Sequence, residues 1–299
     1  MQDYWQIIQE AYTGYASYLW QEITFAYDYK PWWQNYFWLL IGLSLFFLGW
    51  EWLRPWRKEQ PKFRKDFWLD AFYMFFNFFL FSLIIYNAMS EVVVNAFNEL
   101  LASLGLSNLV AVEIGTWPVI LQLLTLFLVR DFVQWWTHRL LHAVPALWEY
   151  HKVHHSVEQM GFAAHLRYHW METLVYRTIE YIPLAMIGFG IDDFFYVHLF
   201  TLAIGHWNHA NIKVNLGPLK YILNNPNMHM WHHAHDLPKD RKQGINFGIT
   251  LSVWDYLFGT AYVPHSGQSI KLGFPGVAKF PKTFWGQISH GFKKSRNEE

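Results

Sequence analysis

The chain has 299 residues, of which 53% are hydrophobic and only 15% are charged, against about 25% charged in an average soluble domain. Its formal net charge is zero, and no basic stripe with a nucleic-acid-binding signature is present, so nucleic acid is not an expected partner. The chain has no cysteine, which excludes disulfides, cysteine-ligated zinc, iron–sulfur clusters and thiolate haem. Electrons for any redox chemistry would therefore come from another protein.

Residues 1–35 are rich in Trp and Tyr and carry four acidic residues against Lys30 alone. Because Trp and Tyr favour the headgroup region, the segment is predicted to form an interfacial helix. An ordinary amphipathic surface helix is the alternative. No basic segment precedes a short apolar run, so a cleaved signal peptide is not predicted.

Three apolar runs predict membrane spans, since a span needs about 20 residues. The first is Tyr36 to Leu53, with Glu51 at its end, where a charge can reach water. The second is Phe67 to Met89, and the third runs from Pro118 to about Trp136 and continues toward the histidines. Six basic residues follow the first span, whereas residues 90–117 contain no Lys or Arg. By the positive-inside rule the basic loop is cytoplasmic and residues 90–117 lie outside.

Residues 174–190 and 194–204 are a further apolar pair. They predict a hairpin that turns around Gly190 and returns to the cytoplasm. Because Arg177, Glu180 and Pro183 interrupt the first limb, re-entrant or half-spanning helices are the alternative.

The predicted fold class is therefore all-α. The chain is expected to be a polytopic membrane protein with about four transmembrane helices and a cytoplasmic, histidine-rich helical cap that holds a dinuclear metal site. Residues 1–119 would contain the interfacial helix and the first two spans, residues 120–262 the histidine-rich domain, and residues 263–299 a tail on the membrane surface.

All 16 histidines lie between His138 and His290. Eight of them form three sets with i, i+4 or i, i+3, i+4 spacing, which places them on one face of a helix, so each set could aim its imidazoles at one point. The sets are His138 and His142; His151, His154 and His155; and His229, His232 and His233. Eight imidazoles are too many for one metal ion and suit two.

Neutral imidazole suits iron, zinc, copper and nickel. A structural zinc needs four ligands, which is half of this set. The segment from His165 to His169 has the histidine spacing of a zinc protease but lacks the glutamate of H-E-x-x-H. Di-iron helical bundles use Glu ligands, whereas the ligand-spaced residues here are histidines. A dinuclear iron site with nitrogen ligands and O2 as co-substrate is the predicted centre.

The motifs H-R-L-L-H, H-K-V-H-H and H-M-W-H-H resemble the three histidine boxes of the fatty acid hydroxylase / sterol desaturase superfamily. R-Y-H-W-M-E from Arg167, H-A-N from His209 and W-D-Y-L-F-G-T from Trp254 are similar to three further segments of that superfamily. The resemblance covers about residues 120–262. It implies a non-haem di-iron membrane enzyme that uses O2 to insert one oxygen atom into a lipid C–H bond or to remove two hydrogens.

The resemblance implies that the eight box histidines are ligands and that His209 is a ninth. His206 is a weaker candidate, and His169 is expected to be a ligand or to contact one. Asp131 either orients a ligand imidazole or pairs with Arg130 or Arg139. Asn211 and Asp255 are candidates near the metal, and Asp255 is expected to brace the closing segment. His198 is expected to be a membrane residue with its hydrogen bonds satisfied, and His165, His235, His265 and His290 are expected to lie at the surface or behind the ligands.

The sequence thus predicts an O2-dependent lipid hydroxylase with two Fe2+ ions. Its expected partners are a membrane lipid and an external electron donor such as a cytochrome b5-like protein, a ferredoxin or a reductase. A desaturase of the same superfamily is one alternative, and a histidine-rich metal transporter or sensor is another. The transporter hypothesis is disfavoured because transporters place ionisable residues near the midplane of their spans, whereas the boxes follow the spans. A multi-pass protein with a cytoplasmic site is expected, in a bacterial inner membrane rather than the endoplasmic reticulum.

Overall fold

The computed structural model describes residues 4–106, 110, 112, 114–187 and 191–292. In these residues the fold is helical, and pairing between extended segments is limited to three isolated bridges. We number the helices in chain order, α1 to α10. Their bounds are Tyr4–Thr24, Tyr36–Leu53, Phe67–Ser103, Val119–Ala143, Pro145–His155, Trp170–Met186, Ile191–His209, Pro226–His232, Val253–Leu257 and Phe284–Ile288. Short 3-10 turns join them, of which Phe162–Leu166 lies nearest the histidines.

Three of these helices, α2, α3 and α4, are long and apolar enough to cross a membrane. They match the three predicted spans, but two of them are longer than predicted. Helix α3 has 37 residues and α4 has 25. Helix α4 continues through His138 and His142, as the sequence indicates. The described part of the first predicted limb lies largely on α6, which ends at Met186, and residues 194–204 lie on α7; neither helix is among the three. Residues 188–190, with the predicted turn at Gly190, lie outside the described residues, and the fourth span stays a prediction.

Helix α1 packs antiparallel to α3. The Tyr4 hydroxyl donates a hydrogen bond to Glu99 Oε2 at 3.3 Å, and Asn87 Nδ2 donates to the Ala11 carbonyl at 3.3 Å. Trp5 and Trp20 are exposed on the other face of α1. The helix therefore lies alongside α3 and runs in the opposite direction, and its placement at the membrane interface stays a prediction.

The basic loop after α2 is folded against the histidine-rich domain. Glu51 is not directed to water as predicted, because its Oε1 accepts hydrogen bonds from the backbone N–H groups of Phe162 (2.8 Å) and Asn211 (2.7 Å). Arg57 donates to the carbonyls of Gly267 (2.7 Å) and Ile270 (3.1 Å). This loop consequently joins the first apolar helix to the C-terminal third of the chain.

Candidate metal centre

The structure brings nine histidines together in two adjacent groups. Within each group the nitrogen atoms that could bind a metal all lie within 4.8 Å of one another. Site A contains His138, His142, His151, His155 and His232, and site B contains His154, His209, His229 and His233. These nine are the residues that the sequence analysis named as metal ligands. That they bind metal stays a prediction.

The three histidine sets do not each aim at one point, as their spacing suggested. His151 and His155 belong to site A, but His154 between them belongs to site B. The last set divides the other way, with His232 in site A and the remaining two in site B. The reason is helical geometry: successive residues point about 100° apart, so adjacent histidines on one helix face two different centres. Helices α5 and α8 thereby supply both sites.

Site B is compact. His209 Nε2 lies 3.2 Å from His154 Nε2 and 2.8 Å from His229 Nε2, and His233 Nε2 lies 3.1 Å from His229 Nε2. Nitrogen ligands about 2.1 Å from an ion lie roughly 3 Å apart when adjacent and roughly 4.2 Å apart when opposite. The four nitrogens therefore have the spacing of ligands around one ion.

Hydrogen bonds to peptide carbonyls orient four of the nine rings. His138 Nδ1 donates to the Phe247 carbonyl (2.8 Å) and His232 Nδ1 to the Ile245 carbonyl (2.8 Å) in site A. In site B, His154 donates to the Arg167 carbonyl (3.1 Å) and His209 to the Gly205 carbonyl (2.8 Å). A carbonyl oxygen can only accept, so Nδ1 carries the proton in each ring. Each Nε2 is thereby left with a lone pair, as a metal ligand requires.

These lone pairs are the evidence that the residues fit metal ions. In site B, the lone-pair-bearing Nε2 atoms of His154 and His209 face each other at 3.2 Å, which is repulsive unless a cation lies between them. In site A, the Nε2 atoms of His142, His151, His155 and His232 are buried without a hydrogen-bond partner. Buried polar nitrogens without partners are costly. Both groups could therefore hold a metal ion.

Burial keeps the imidazoles neutral. It lowers the pKa of His151, His154 and His155 well below the ordinary value, and neighbouring histidines lower it further. The same two causes lower the pKa of His229, His232 and His233. Because only the neutral ring binds a metal, the site does not have to lose protons at neutral pH before binding.

Glu172 is a further residue of the site, which the sequence analysis quoted within R-Y-H-W-M-E without giving it a role. Its Oε2 lies 2.7 Å from His151 Nδ1, and both groups are buried. Burial raises the pKa of Glu172 to about 8, and a metal ion bound to the His151 ring would favour the ionised carboxylate. A carboxylate that accepts the second N–H of a ligand histidine fixes that ring and makes it a stronger ligand. The motif marks Glu172 as a candidate residue, but it does not identify the partner histidine, which lies 21 positions earlier in the chain.

His169 and His206 lie outside both groups. His169 Nε2 donates to the Ile288 carbonyl at 2.7 Å, which joins the start of α6 to the C-terminal helix α10. His206 contacts Ser44 Oγ (3.3 Å) and His165 Nδ1 (2.9 Å). The ring centroid of His165 lies 5.2 Å from that of His209. His165 therefore lies behind a candidate ligand, which is one of the two positions that the sequence predicted for it.

Asp131 has neither of its two predicted roles. Its carboxylate accepts hydrogen bonds from the backbone N–H groups of Thr250 (3.1 Å) and Leu251 (3.2 Å) and from Trp254 Nε1 (2.8 Å). Its contacts therefore go to the closing segment, rather than to a ligand imidazole or to a neighbouring arginine. A carboxylate buried on α4 is compensated here by three donors that lie more than a hundred positions away.

Asp255 braces the same segment, as expected. It accepts from the N–H groups of Phe247 (2.8 Å) and Gly248 (2.7 Å) and from Trp135 Nε1 (3.0 Å). Since the Phe247 carbonyl accepts from His138, Asp255 positions a candidate ligand through the loop. Asn211 has a comparable bracing role: its Oδ1 accepts from Arg57 N at 2.8 Å.

A cavity of about 190 Å³ lies against both sites. It is lined by His138 and His151 of site A and by His154, His209 and His229 of site B. Its wall also includes residues of α3, α4, α6 and α7, among them Arg130, Glu180 and His198. His198 is hydrogen-bonded, to Tyr36 (2.9 Å) and Arg130 (3.3 Å), as predicted for a satisfied residue, and it also lines this cavity.

Comparison with known proteins agrees with this arrangement. The family model described as "Fatty acid hydroxylase" matches residues 123–260, which contain all nine histidines. Residues 123–260 are therefore a fatty acid hydroxylase domain, and the relatives of the chain belong to the fatty acid hydroxylase / sterol desaturase superfamily. No solved structure matches the chain.

Proteins named as hydroxylases and monooxygenases are among the relatives, together with an aldehyde decarbonylase. Ornithine lipid hydroxylase OlsE of Rhizobium tropici is 31% identical over 183 residues, covering 61% of this chain and 54% of the relative. Human alkylglycerol monooxygenase is 38% identical over 173 residues (53% and 37%), and methylsterol monooxygenase 1-1 of Arabidopsis thaliana is 27% identical over 143 residues (46% of each). The chain therefore spans about half the length of these relatives or less.

Proposed function

We propose that the protein is an O2-dependent, non-haem di-iron hydroxylase that acts on a membrane lipid. The observation that carries the proposal is the convergence of nine histidines, eight of them buried, on two adjacent centres inside a fatty acid hydroxylase domain. The balanced reaction is R–H + O2 + two electrons + two protons to give R–OH and water. The similar proteins named as hydroxylases and monooxygenases favour hydroxylation over desaturation.

Two Fe2+ ions would be held by the histidines of sites A and B and would supply the O2-dependent oxidation of a C–H bond. The chain's own residues orient and shield that centre. Glu172 and the carbonyls of Phe247 and Ile245 fix three rings of site A. Burial keeps bulk water away from eight of the nine imidazoles, and His142 is half-buried. The cavity would hold the substrate against ligands of both centres.

The lipid would reach the cavity from the bilayer. Helices α3 and α4 are long and apolar enough to span it, and both contribute to the cavity wall through Asn77, Phe78, Arg130 and Gln134. The basic loop after α2 contacts the histidine-rich domain through Arg57 and Asn211, which supports placing both on the cytoplasmic side. A bacterial inner membrane is the proposed location, with the endoplasmic reticulum as the alternative.

The electron donor is proposed to dock beside His142. Arg139, Lys239, Arg241 and Lys242 surround a surface groove there, together with one acidic residue, Asp240. The groove includes Gly244, which has a φ of +108° and lies so close to the His142 ring that a Cβ would be 2.9 Å from Nδ1. This basic surface suits an acidic electron-carrier protein, and it gives a short route to site A.

The test is metal and product analysis of the detergent-purified protein. We expect two irons per chain by elemental mass spectrometry, magnetically coupled in Mössbauer spectra, and O2 consumption that depends on added lipid and a reductant. The variant His154→Ala should lose turnover while the helical content is kept. His235→Ala is the matched control, because His235 lies at the surface against Asp236. A single zinc per chain, or full activity in His154→Ala, would contradict the proposal.

A further inference from the structure

Part of the cavity wall, supplied by α4, α6 and α7, is unusually polar for a position among apolar helices. Arg130 of α4 forms a buried ion pair with Glu180 of α6 and donates to Thr201 Oγ1 at 2.9 Å. Gln134 Nε2 donates to Glu180 Oε2 at 3.2 Å. Ionisable residues within apolar helices are costly and mark functional positions more often than structural ones.

Four buried polar atoms in the cavity-lining side chains have no hydrogen-bond partner in the protein. They are Asn77 Oδ1, Gln134 Oε1, Thr173 Oγ1 and Asn208 Oδ1. All four side chains are less than one-tenth exposed. Three of the four atoms are amide oxygens, which can only accept a hydrogen bond. The set therefore calls for a ligand that donates.

The orientation of the three amides is fixed by their nitrogen atoms. Asn77 Nδ2 donates to the Leu166 (3.0 Å) and Tyr168 (3.1 Å) carbonyls, and Asn208 Nδ2 donates to the Ile249 carbonyl at 2.6 Å. Gln134 Nε2 is bound by Glu180. Exchanging the nitrogen and oxygen of any of these amides would place an oxygen against another acceptor. The N–H donors of all three amides are therefore hydrogen-bonded within the protein, whereas their oxygens remain available to accept hydrogen bonds from a bound ligand.

The chemistry of the ligand follows from the cost of leaving these atoms unpaired. A buried polar group without a hydrogen bond is destabilising. A plain hydrocarbon chain in the cavity would leave all four unpaired, whereas a group with O–H or N–H bonds could pair with them. Discrimination of this kind is strong, because a site that hydrogen-bonds a hydroxyl or amine rejects an analogue that lacks it.

The size of the cavity limits how much of a lipid enters. An apolar cavity of about 150 Å³ takes up a molecule the size of benzene, so a cavity of about 190 Å³ holds a small polar group and a few carbons. The rest of the lipid has to extend out of it. Since the same cavity touches ligands of both sites, whatever fills it lies next to the metal centre.

We infer that the cavity binds the polar end of its lipid through O–H or N–H donors, so that the carbon to be hydroxylated lies within a few bonds of that polar end. This deepens the proposed function and rests on it for the reaction. The binding part is independent of the chemistry. The substrate class is thereby a lipid with a hydroxyl-, amine- or amide-bearing end, rather than an unsubstituted acyl chain oxidised far from its headgroup.

Binding is measured on the full chain, loaded with redox-inactive Zn2+ and reconstituted in phosphatidylcholine nanodiscs, so that no turnover is needed. The probe is tritiated hexadecane-1,2-diol, displaced by unlabelled diol, by 1,2-dimethoxyhexadecane or by hexadecane. Two or more hydrogen bonds at about 0.5–1.5 kcal/mol each predict at least about fivefold tighter binding of the diol than of either analogue. Equal displacement by the three compounds would overturn the inference.

Matched substitutions locate the effect in the cavity. Gln134→Met should weaken diol binding about three- to tenfold and leave the affinity for the dimethoxy compound unchanged, because the amide oxygen that is removed can only accept. Thr173→Val should weaken diol binding by a similar factor. The controls are Thr125→Val, a half-buried threonine of α4 outside the cavity, and Gln287→Met. Gln287 is also buried, with its nitrogen bound to the Pro281 carbonyl and its oxygen unpaired, but it does not line the cavity.

The outcomes separate this inference from the proposed function. An equal loss of affinity for the diol and the dimethoxy compound in the Gln134→Met variant would indicate general damage to the cavity, and it would count against the inference. Diol-selective binding in a protein that fails the iron analysis would leave the inference standing without the hydroxylase. Two coupled irons with no diol selectivity would leave the hydroxylase standing without the inference.

Discussion

Sites A and B use the same ligand type but are built differently. Site A has five histidines, taken from α4, α5 and α8, whereas site B has four, taken from α5, α7 and the end of α8. In site A three rings are fixed from behind by Glu172 and two peptide carbonyls. In site B two are fixed, and the Nε2 atoms lie within 3.2 Å of their neighbours. Site B thus has four histidines and one ligand fewer than site A. The orientation of the ligands in site A depends more on the residues that hydrogen-bond to them from behind.

The largest expected effect comes from removing His209, the one ligand supplied by α7. With three imidazoles left, site B should lose its ion, so His209→Ala is expected to reduce the metal content from two ions per chain to one. Elemental mass spectrometry of the purified variant measures this. The control is His206→Ala, one helical turn earlier on the same helix and outside both groups. Loss of an ion in that control would show that His206 is itself a ligand.

Glu172→Gln tests the support behind site A. The substitution keeps the shape of the side chain but removes the charge that accepts from His151, so the metal affinity of site A should fall about 10- to 100-fold. Site B should be unaffected, and competition with a chelator would release one ion well before the other. Glu149→Gln, at a half-exposed glutamate that pairs with Lys152, is the control. Equal weakening of both ions would contradict the division into two sites.

Asp255→Asn should have a smaller effect, because it acts on site A through the loop that contains Ile245 and Phe247. The change weakens charge-assisted hydrogen bonds to a buried carboxylate, and about 2–3 kcal/mol of stability is expected to be lost. Thermal unfolding of the metal-loaded protein measures this, together with metal retention at site A. Asp240→Asn should change neither quantity, because the Asp240 side chain is 80% exposed.

The nine-histidine set could be predicted from the sequence, because the spacing within each box is local and the order of the boxes resembles a known superfamily. The assignment of each histidine to a site could not be predicted by treating each box as a unit. Adjacent residues such as His154 and His155 point about 100° apart, so a box divides between two centres. Which residue goes to which centre depends on how α4, α5, α7 and α8 pack.

Local sequence patterns could not predict the hydrogen bonds that orient the candidate ligands and brace the segment behind them. His138 and the Phe247 carbonyl are 109 positions apart, and the carbonyl belongs to the backbone, so its residue type gives no signal. Asp131 was misassigned for the same reason, since its partners are backbone N–H groups near residue 250 and Trp254. The apolar helices were predicted, but the end of the second was placed too early.

The second apolar helix, α3, is much longer than one crossing of a bilayer requires. Its 37 residues would span about 55 Å at 1.5 Å per residue, well beyond a hydrocarbon core of about 30 Å. It contains two π-helical stretches, Phe76–Leu80 and Ser82–Tyr86, and the first includes the cavity residue Asn77. Each π turn holds one residue more than an α turn and so shifts the register of everything beyond it by about 100°. Chain length in residues 76–86 is therefore constrained more tightly than side-chain identity: conservative substitutions should be accepted there, whereas deleting a single residue would turn the segment packed on α1 away from its partner.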